Sequence, residues 1–237
     1  MKKLFVFITV LPSSLFKCFV IYLPGEAGII LRRWYYSKRF RKCGKNLSIA
    51  TNVQISDPSM IEVGDDVMIR ENVLIHTGAP MNPSDDKRDV IELVQYNKHE
   101  KGLITIGDHS RVAFGVIILG YGGVKIGKKC GIGPGAIILS ESFHHKGSDI
   151  KRVYKYSQGA LPEEQCVIQG LVEFKDGAGV ASNVIVLPCA TIGKDSWVAP
   201  GSVVRIRGRI EDDVIAKGDP AVTVFKRPYV SEYGKGE

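Results

Sequence analysis

A chain of 237 residues that is 44% hydrophobic and 24% charged can bury one substantial core and is too apolar to stay disordered. Its net charge of +7 favours a polyanionic partner, but no RNP-type, zinc-finger or helix-turn-helix pattern accompanies the charge, which sets nucleic acid aside. Five scattered cysteines without a CxxC pair suit free thiols in a reducing compartment.

Residues 4–16 carry no charge, but Pro12 interrupts them and Lys17 ends them, short of the ~20 residues a bilayer-crossing helix needs. A second apolar run from Cys18 to Leu23 stops at Pro24-Gly25. The start is similar to a signal peptide, yet no small-x-small cleavage site follows cleanly. Residues 31–45 then interleave seven Lys or Arg, and no acid, with Trp34, Tyr35, Tyr36 and Phe40. Such alternation is what an anionic lipid interface selects. Residues 1–45 are therefore expected to form a helical, membrane-facing segment. Packing as a plain cap on the following domain is the competing reading, and the two are compatible.

From Asn46 onward aliphatic residues recur every six positions. The clearest run is Phe174, Val180, Val186, Ile192, Val198 and Val204, with a small residue or valine four positions after each of the first five (Ala178, Val184, Ala190, Ser196, Ser202). Earlier frames read Ile49, Ile55; Val63, Ile69, Ile75; Ile106, Val112, Ile118; and Ile126, Ile132, Ile138. Strands repeat every two residues and helices every 3.6, so neither sustains a period of six. A six-residue unit is one short strand plus a corner. Three units close a triangular coil whose aliphatic residues point inward and stack on those above and below. Gly or Ala often follows the aliphatic residue, as at Gly64, Gly107 and Gly193, where glycine is expected to relieve corners of positive φ. Cys130 and Cys189 fall in repeat positions and read as small apolar fillers.

Two charged segments, 79–103 and 146–166, lack the repeat, and in a solenoid such insertions map to one face. The repeat domain is bounded at 46–204. Residues 205–237 are expected to be a capping strand and tail that shield the open end.

The stretch Phe174 to Ala221 resembles the C-terminal part of the hexapeptide-repeat acyltransferases, through Val186-Leu187-Pro188, Ala199-Pro200-Gly201-Ser202-Val203-Val204 and Gly218-Asp219-Pro220-Ala221. The resemblance covers about residues 46 to 222. It implies an all-β, left-handed parallel β-helix, a handedness that periodicity does not reveal, and a homotrimer with active sites between neighbouring β-helices. It also implies a CoA-dependent O-acetyltransferase that moves an acetyl group from acetyl-CoA to a hydroxyl of a sugar or glycan precursor, with no metal. Leu23-Pro24-Gly25-Glu26-Ala27-Gly28 and the basic-aromatic segment after it resemble members that modify capsule or lipid-linked glycans. That places the protein in the cytoplasm, peripheral on the inner face of the cell membrane.

An alcohol attacks a thioester only if a base takes its proton, and the family sets a histidine for this just after a repeat strand. Ile138-Leu139-Ser140-Glu141-Ser142-Phe143-His144-His145 occupies that place, which nominates His144 first, His145 second, and Glu141 to orient the imidazole. Gly115 stands where the family often has an acceptor-binding Asn. Ala181, Asn183, Ala199 and Gly201 match positions where small residues let the pantetheine arm of CoA lie along the backbone. Arg205, Arg207, Arg209 and Lys217 are the cations available to its phosphates. Three alternatives stay open: N-acetylation of an amino sugar, a γ-class carbonic-anhydrase-like metal enzyme using His76, His109 and His144 (although no His-x4-His exists), and a non-catalytic trimeric scaffold.

Overall fold

A computed structural model of the chain describes residues 2–78, 88–92, 99–143 and 161–226. It opens with two helices, α1 (Lys2–Tyr22) and α2 (Gly25–Ser37). Pro12 lies inside α1 rather than ending it, because a proline removes one donor and kinks a helix without forbidding the apolar turns on either side. The Leu23–Gly28 motif makes the turn between the helices. Pro24 caps α2 in an extended conformation, and Gly28 lets α2 pass so close that a Cβ there would sit 1.9 Å from the Leu23 carbonyl oxygen.

Arg32 holds this junction. Its guanidinium is fully buried and donates to the carbonyls of Val20 (3.1 Å), Ile21 (3.3 Å), Leu23 (2.7 Å) and Ile49 (2.8 Å). The first two belong to the last turn of α1, where partial negative charge collects and a cation is stabilised. One side chain thus ties α1, the interhelical turn and the first coil together.

The rest is a parallel β-helix. Sheet A stacks Lys42–Cys43, Ile61–Val63, Ile104–Ile106, Val124–Ile126, Val172–Phe174, Thr191–Ile192 and Arg209–Ile210. Sheet B stacks Ser48–Ile49, Met68–Ile69, Arg111–Val112, Gly131–Ile132, Gly179–Val180, Trp197–Val198 and Val214–Lys217. Sheet C stacks Gln54–Ile55, Leu74–Thr77, Ile117–Gly120, Ile137–Leu139, Ile185–Val186 and Val203–Val204. All pairings along these three stacks are parallel, and the period-six residues Ile69, Val180, Val186, Ile192 and Val198 are fully buried on the axis.

Successive sheet B partners are Ser48, Met68, Arg111, Gly131, Gly179, Trp197 and Ile215, so the coils advance by 20, 43, 20, 48, 18 and 18 residues. Every excess over 18 leaves the prism at one corner, between sheets C and A. The expected mapping of insertions to one face holds. The frame also runs past Val204, where a cap was expected. Ile210 stacks on Ile192 and Ala216 on Val198, keeping the period through Arg205-Ile206-Arg207-Gly208. Those residues form a corner, whose side chains face solvent whatever their charge. A final strand, Val222–Lys226, pairs antiparallel with Val214–Lys217.

The corners correct the expected role of glycine. Positive φ falls three residues before each inward aliphatic, at Asn52 before Ile55, Asp66 before Ile69 and Asn183 before Val186, and also at His109, Lys129, Cys189 and Arg207. The glycine after the aliphatic serves close approach instead. A Cβ on Gly107 would lie 2.6 Å from the Gly127 carbonyl carbon of the next coil. Along the A–B corner, aspartates stitch coil to coil. Asp65 accepts from the Lys45 N–H (2.6 Å), Asp108 from Asp65 (2.9 Å), Asp176 from Lys128 (2.8 Å) and Asp212 from Lys194 (2.9 Å).

Two outcomes test this architecture. Ile192→Asp would bury a carboxylate without a partner and should unfold at least the C-terminal coils, read as a lost or split melting transition; a parent-like melt would mean Ile192 does not face the axis. The Lys128 ammonium and the Asp65 N–H hold the Asp108 carboxyl below its usual range. A folded pKa below the unfolded one adds stability above about pH 4, and that stability is lost as pH falls through the folded value. Asp108→Ala should therefore lower Tm at pH 7, and its deficit against the parent should shrink below pH ~4.

Candidate active site

Both insertions return strands to a small lateral sheet on the C–A edge. Cys166–Gln169 runs parallel to Asp89–Glu92 and antiparallel to Glu141–Phe143. Strands some 75 residues apart in sequence are thereby brought together beside the coil that contains Ile137–Leu139. Glu141 opens the middle of this arrangement with its side chain only 12% exposed. Its carboxylate accepts from the Gln169 side-chain amide and lies 3.5 Å from the Arg88 guanidinium. Arg88 and Gln169 thus already hold the residue nominated to orient an imidazole. Ser140, buried beneath it, donates to the Leu119 carbonyl (2.9 Å) and accepts from the Gly122 N–H (2.8 Å), fixing the last turn of backbone before Glu141.

His144 and His145 lie outside the described residues; the chain enters that stretch directly from Phe143 on this edge. A third histidine, which sequence reading weighed only as a metal ligand, stands on the same edge. His76 follows the inward Ile75 immediately before the first insertion, the same coil-to-insertion junction that singled out His144. Its ring stacks on Tyr121 with centroids 5.1 Å apart, and its Nδ1 donates to the Thr77 carbonyl (3.0 Å), since a carbonyl only accepts. That bond leaves the lone pair on Nε2, a buried atom with no hydrogen-bond partner. The signal for His76 was available at the first insertion, but the repeat there is shorter and carries no family motif.

The residues nominated for the cofactor divide between two edges. Ala181 with Asn183, and Ala199 with Gly201, occupy the B–C corner in consecutive coils. Gly201 donates its N–H to the Ser182 carbonyl (3.0 Å), and Lys217 begins the same corner one coil further on. Asn183 and Gly201 are exposed with positive φ. Arg205 and Arg207 are exposed on the other side of sheet C, at the C–A corner, one coil above Leu187-Pro188-Cys189. Gly115, with φ +69°, lies on the B–C edge.

The two edges bound sheet C, whose outer face departs from the usual alternation. Leu74, Ile117, Ile137, Ile185 and Val203 form one outward row in register, aliphatic throughout. The matching row on sheet A is Lys42, Glu62, Thr105, Lys125, Glu173, Thr191 and Arg209, with Lys125 and Glu173 ion-paired at 2.9 Å. A charged row suits water. An aliphatic one leaves a face that water does not favour.

Among the described residues, no group of three His, Cys, Asp or Glu side chains stands close enough to hold a metal ion. His109 sits on the A–B corner, 3.5 Å from Asp66 and on a different edge from His76.

By sequence, the chain matches no protein-family model and no curated protein. By structure, it is similar to the N-acyltransferase AntD from Bacillus cereus. A point variant in complex with dTDP and coenzyme A is 19% identical, with a TM-score of 0.65 over 86% of this chain and 93% of that one. AntD with dTDP and 3-hydroxybutyryl-CoA gives 18% and 0.64 over 86% and 92%. A hexapeptide-repeat-containing acetyltransferase from Vibrio cholerae O1 biovar eltor, complexed with acetyl-CoA, gives 18% and 0.52 over 91% and 85%. The chain has the fold of these acyltransferases. At such identities the likeness is one of fold, and the acyltransferase fold accounts for the stacked coils without assigning a role to any side chain.

The thiols are poor nucleophiles in this setting. Burial pushes Cys130 up to about 11 and raises Cys166 and Cys189 as well. Cys130 is instead a buried filler that donates to the Lys175 carbonyl (3.1 Å). Thiol labelling of the native protein at pH 7 should modify the exposed Cys18 at once and Cys130, Cys166 and Cys189 only on unfolding. Rapid modification of Cys130 in the folded protein would contradict its place in the core.

Proposed function

We propose that the protein is a CoA-dependent acyltransferase that transfers an acetyl group from acetyl-CoA to a hydroxyl of a sugar or glycan precursor. The observation that carries this reading is the likeness, over most of the chain, to transferases crystallised with coenzyme A or its thioesters. In the proposed mechanism the acceptor oxygen attacks the thioester carbonyl as His144, or failing it His145, takes the hydroxyl proton. The carbon–sulfur bond then breaks, and the proton passes to the departing CoA thiolate. A backbone N–H from a neighbouring coil holds the intermediate oxyanion, and Glu141 orients the imidazole. The pantetheine arm lies along Ala181, Asn183, Ala199 and Gly201, with Lys217, Arg205 and Arg207 facing phosphate. No covalent acyl-enzyme is needed, because the thioester is already activated.

The functional unit in this proposal is a homotrimer. The aliphatic outer row of sheet C supports it, because a neighbouring copy would cover that row. So does the division of the nominated residues: the histidine edge and the pantetheine edge are separated by sheet C within one protomer and would meet across an interface between two.

A second reading is N-acylation of an amino sugar, favoured by the fold's likeness to AntD, a variant of which was crystallised with dTDP-4-amino-4,6-dideoxyglucose and coenzyme A. The same base and thioester serve an amine. Mild alkali would release acetate from an ester product and not from an amide.

His144→Ala should lower kcat by about 10²–10⁴ while acetyl-CoA affinity stays near the parent's, since the imidazole meets the reacting centre and not the phosphates. The parent's kcat/KM should fall on the acid side as the base protonates. His145→Ala and His76→Ala, assayed identically, locate the base if it is not His144. Parent-like turnover in all three would sink the mechanism. Mixed trimers of His144→Ala with Ala199→Phe protomers should regain activity that neither parent homotrimer has, and failure to do so would place each site within one protomer.

A further inference from the structure

The chain's charge is segregated. Ten of its 32 cationic residues, but only one of its 25 acidic residues (Glu26), fall in the first 56 positions. That segment therefore carries nine net positive charges, and the remainder of the chain is net negative by two. The same segment holds the least covered apolar surface. Every residue from Leu11 to Phe19 is exposed, and only Val20 and Ile21 at the end of α1 are buried. Leu15 is 60% exposed, Phe19 56% and, on α2, Ile30 65% and Trp34 48%, values at which no part of the protomer covers them. Arg32 pins the end of α1 to α2 and the first coil, so these side chains stand on a fixed platform at the N-terminal end of the β-helix. Cations and rings also meet directly. Lys38 Nζ lies 4.7 Å over the Trp34 ring, and the Arg39 guanidinium lies 3.7 Å over Tyr35.

We infer that α1 and α2 form a docking surface for an anionic lipid bilayer, with the exposed face of α1 entering the headgroup region and Arg33, Lys38 and their basic neighbours pairing with lipid phosphates. Charge selects this occupant. A second copy would bring nine positive charges against nine, and nucleic acid would leave the apolar side chains in water. Aromatic side chains flanked by lysine and arginine match an interface that is apolar on one side and anionic on the other. Among the described residues no helix is long and apolar enough to cross a membrane, which fits shallow insertion. The inference stands apart from the acyl-transfer reading, because it uses none of the residues on the C–A or B–C edges.

The test is cosedimentation of the full-length protein with vesicles of phosphatidylcholine alone and of phosphatidylcholine with phosphatidylglycerol. Binding should require phosphatidylglycerol and weaken at high salt, as attraction screened within roughly 8 Å must. Replacing Arg33 or Lys38 by Ala should weaken binding roughly fivefold each at low salt, the worth of one interfacial cation. Leu15→Glu with Phe19→Glu should abolish binding at any salt while leaving the melting temperature unchanged, since both side chains are exposed. Equal binding to neutral vesicles would overturn the role of charge. No binding to either vesicle would overturn the inference, and if the Leu15→Glu, Phe19→Glu protein then changed oligomeric state the surface would belong to another copy.

Discussion

A three-sided coil closes only if each side sends an apolar group to the axis, and each coil is stable only where the next one covers it. Ile69 on Ile49, Val186 on Ile138 and Ile210 on Ile192 are instances of that one contact repeated along the molecule. Everything else accommodates it. Corners adopt positive φ so that the chain can turn in time for the next inward residue, glycine appears where neighbouring coils would otherwise collide, and aspartate carboxylates take up N–H groups that the turns leave without partners. An interior of identical contacts also has no strong point: a polar substitution at any rung removes support from both neighbours.

Much of this was legible in the residues. Burial alternates with the period of six from Ile49 to Val204, and the two segments that break the period are the two that leave the prism. The corners were harder to read. His109, Lys129, Cys189 and Arg207 hold positive φ although none favours it, because stacking on both sides over-determines their conformation. Arg205-Ile206-Arg207-Gly208 read as the end of the repeat because corner residues face water, and a basic corner looks like a tail. The lateral sheet could not be read at all, since the pairing of Val167 with Val90 and with Phe143 joins three segments far apart in sequence and none shows a period of its own.

The candidate site was visible as a list of residues and not as a place. Glu141 could be nominated from its distance to His144, but Arg88 and Gln169, which hold its carboxylate, lie in segments whose course only the lateral sheet reveals. The division of Ala181, Asn183, Ala199 and Gly201 from Arg205 and Arg207 onto different corners was hidden for a related reason. Assigning a residue to an edge means counting in coils of known length, and coils of 20, 43 and 48 residues spoil the count until the register is known.

Stacked strands have a fixed pitch, about 4.8 Å per coil, which makes the β-helix a ruler. Three coils separate Gln54–Ile55, beside the helical platform, from Ile137–Leu139, which feeds the lateral sheet, a rise of roughly 14 Å. The height of Glu141 above α2 is therefore quantised. It can change by a whole coil, through gain or loss of a full set of three sides, but not by an ångström or two. Extra length at the C–A corner alters what surrounds the site and leaves its elevation alone.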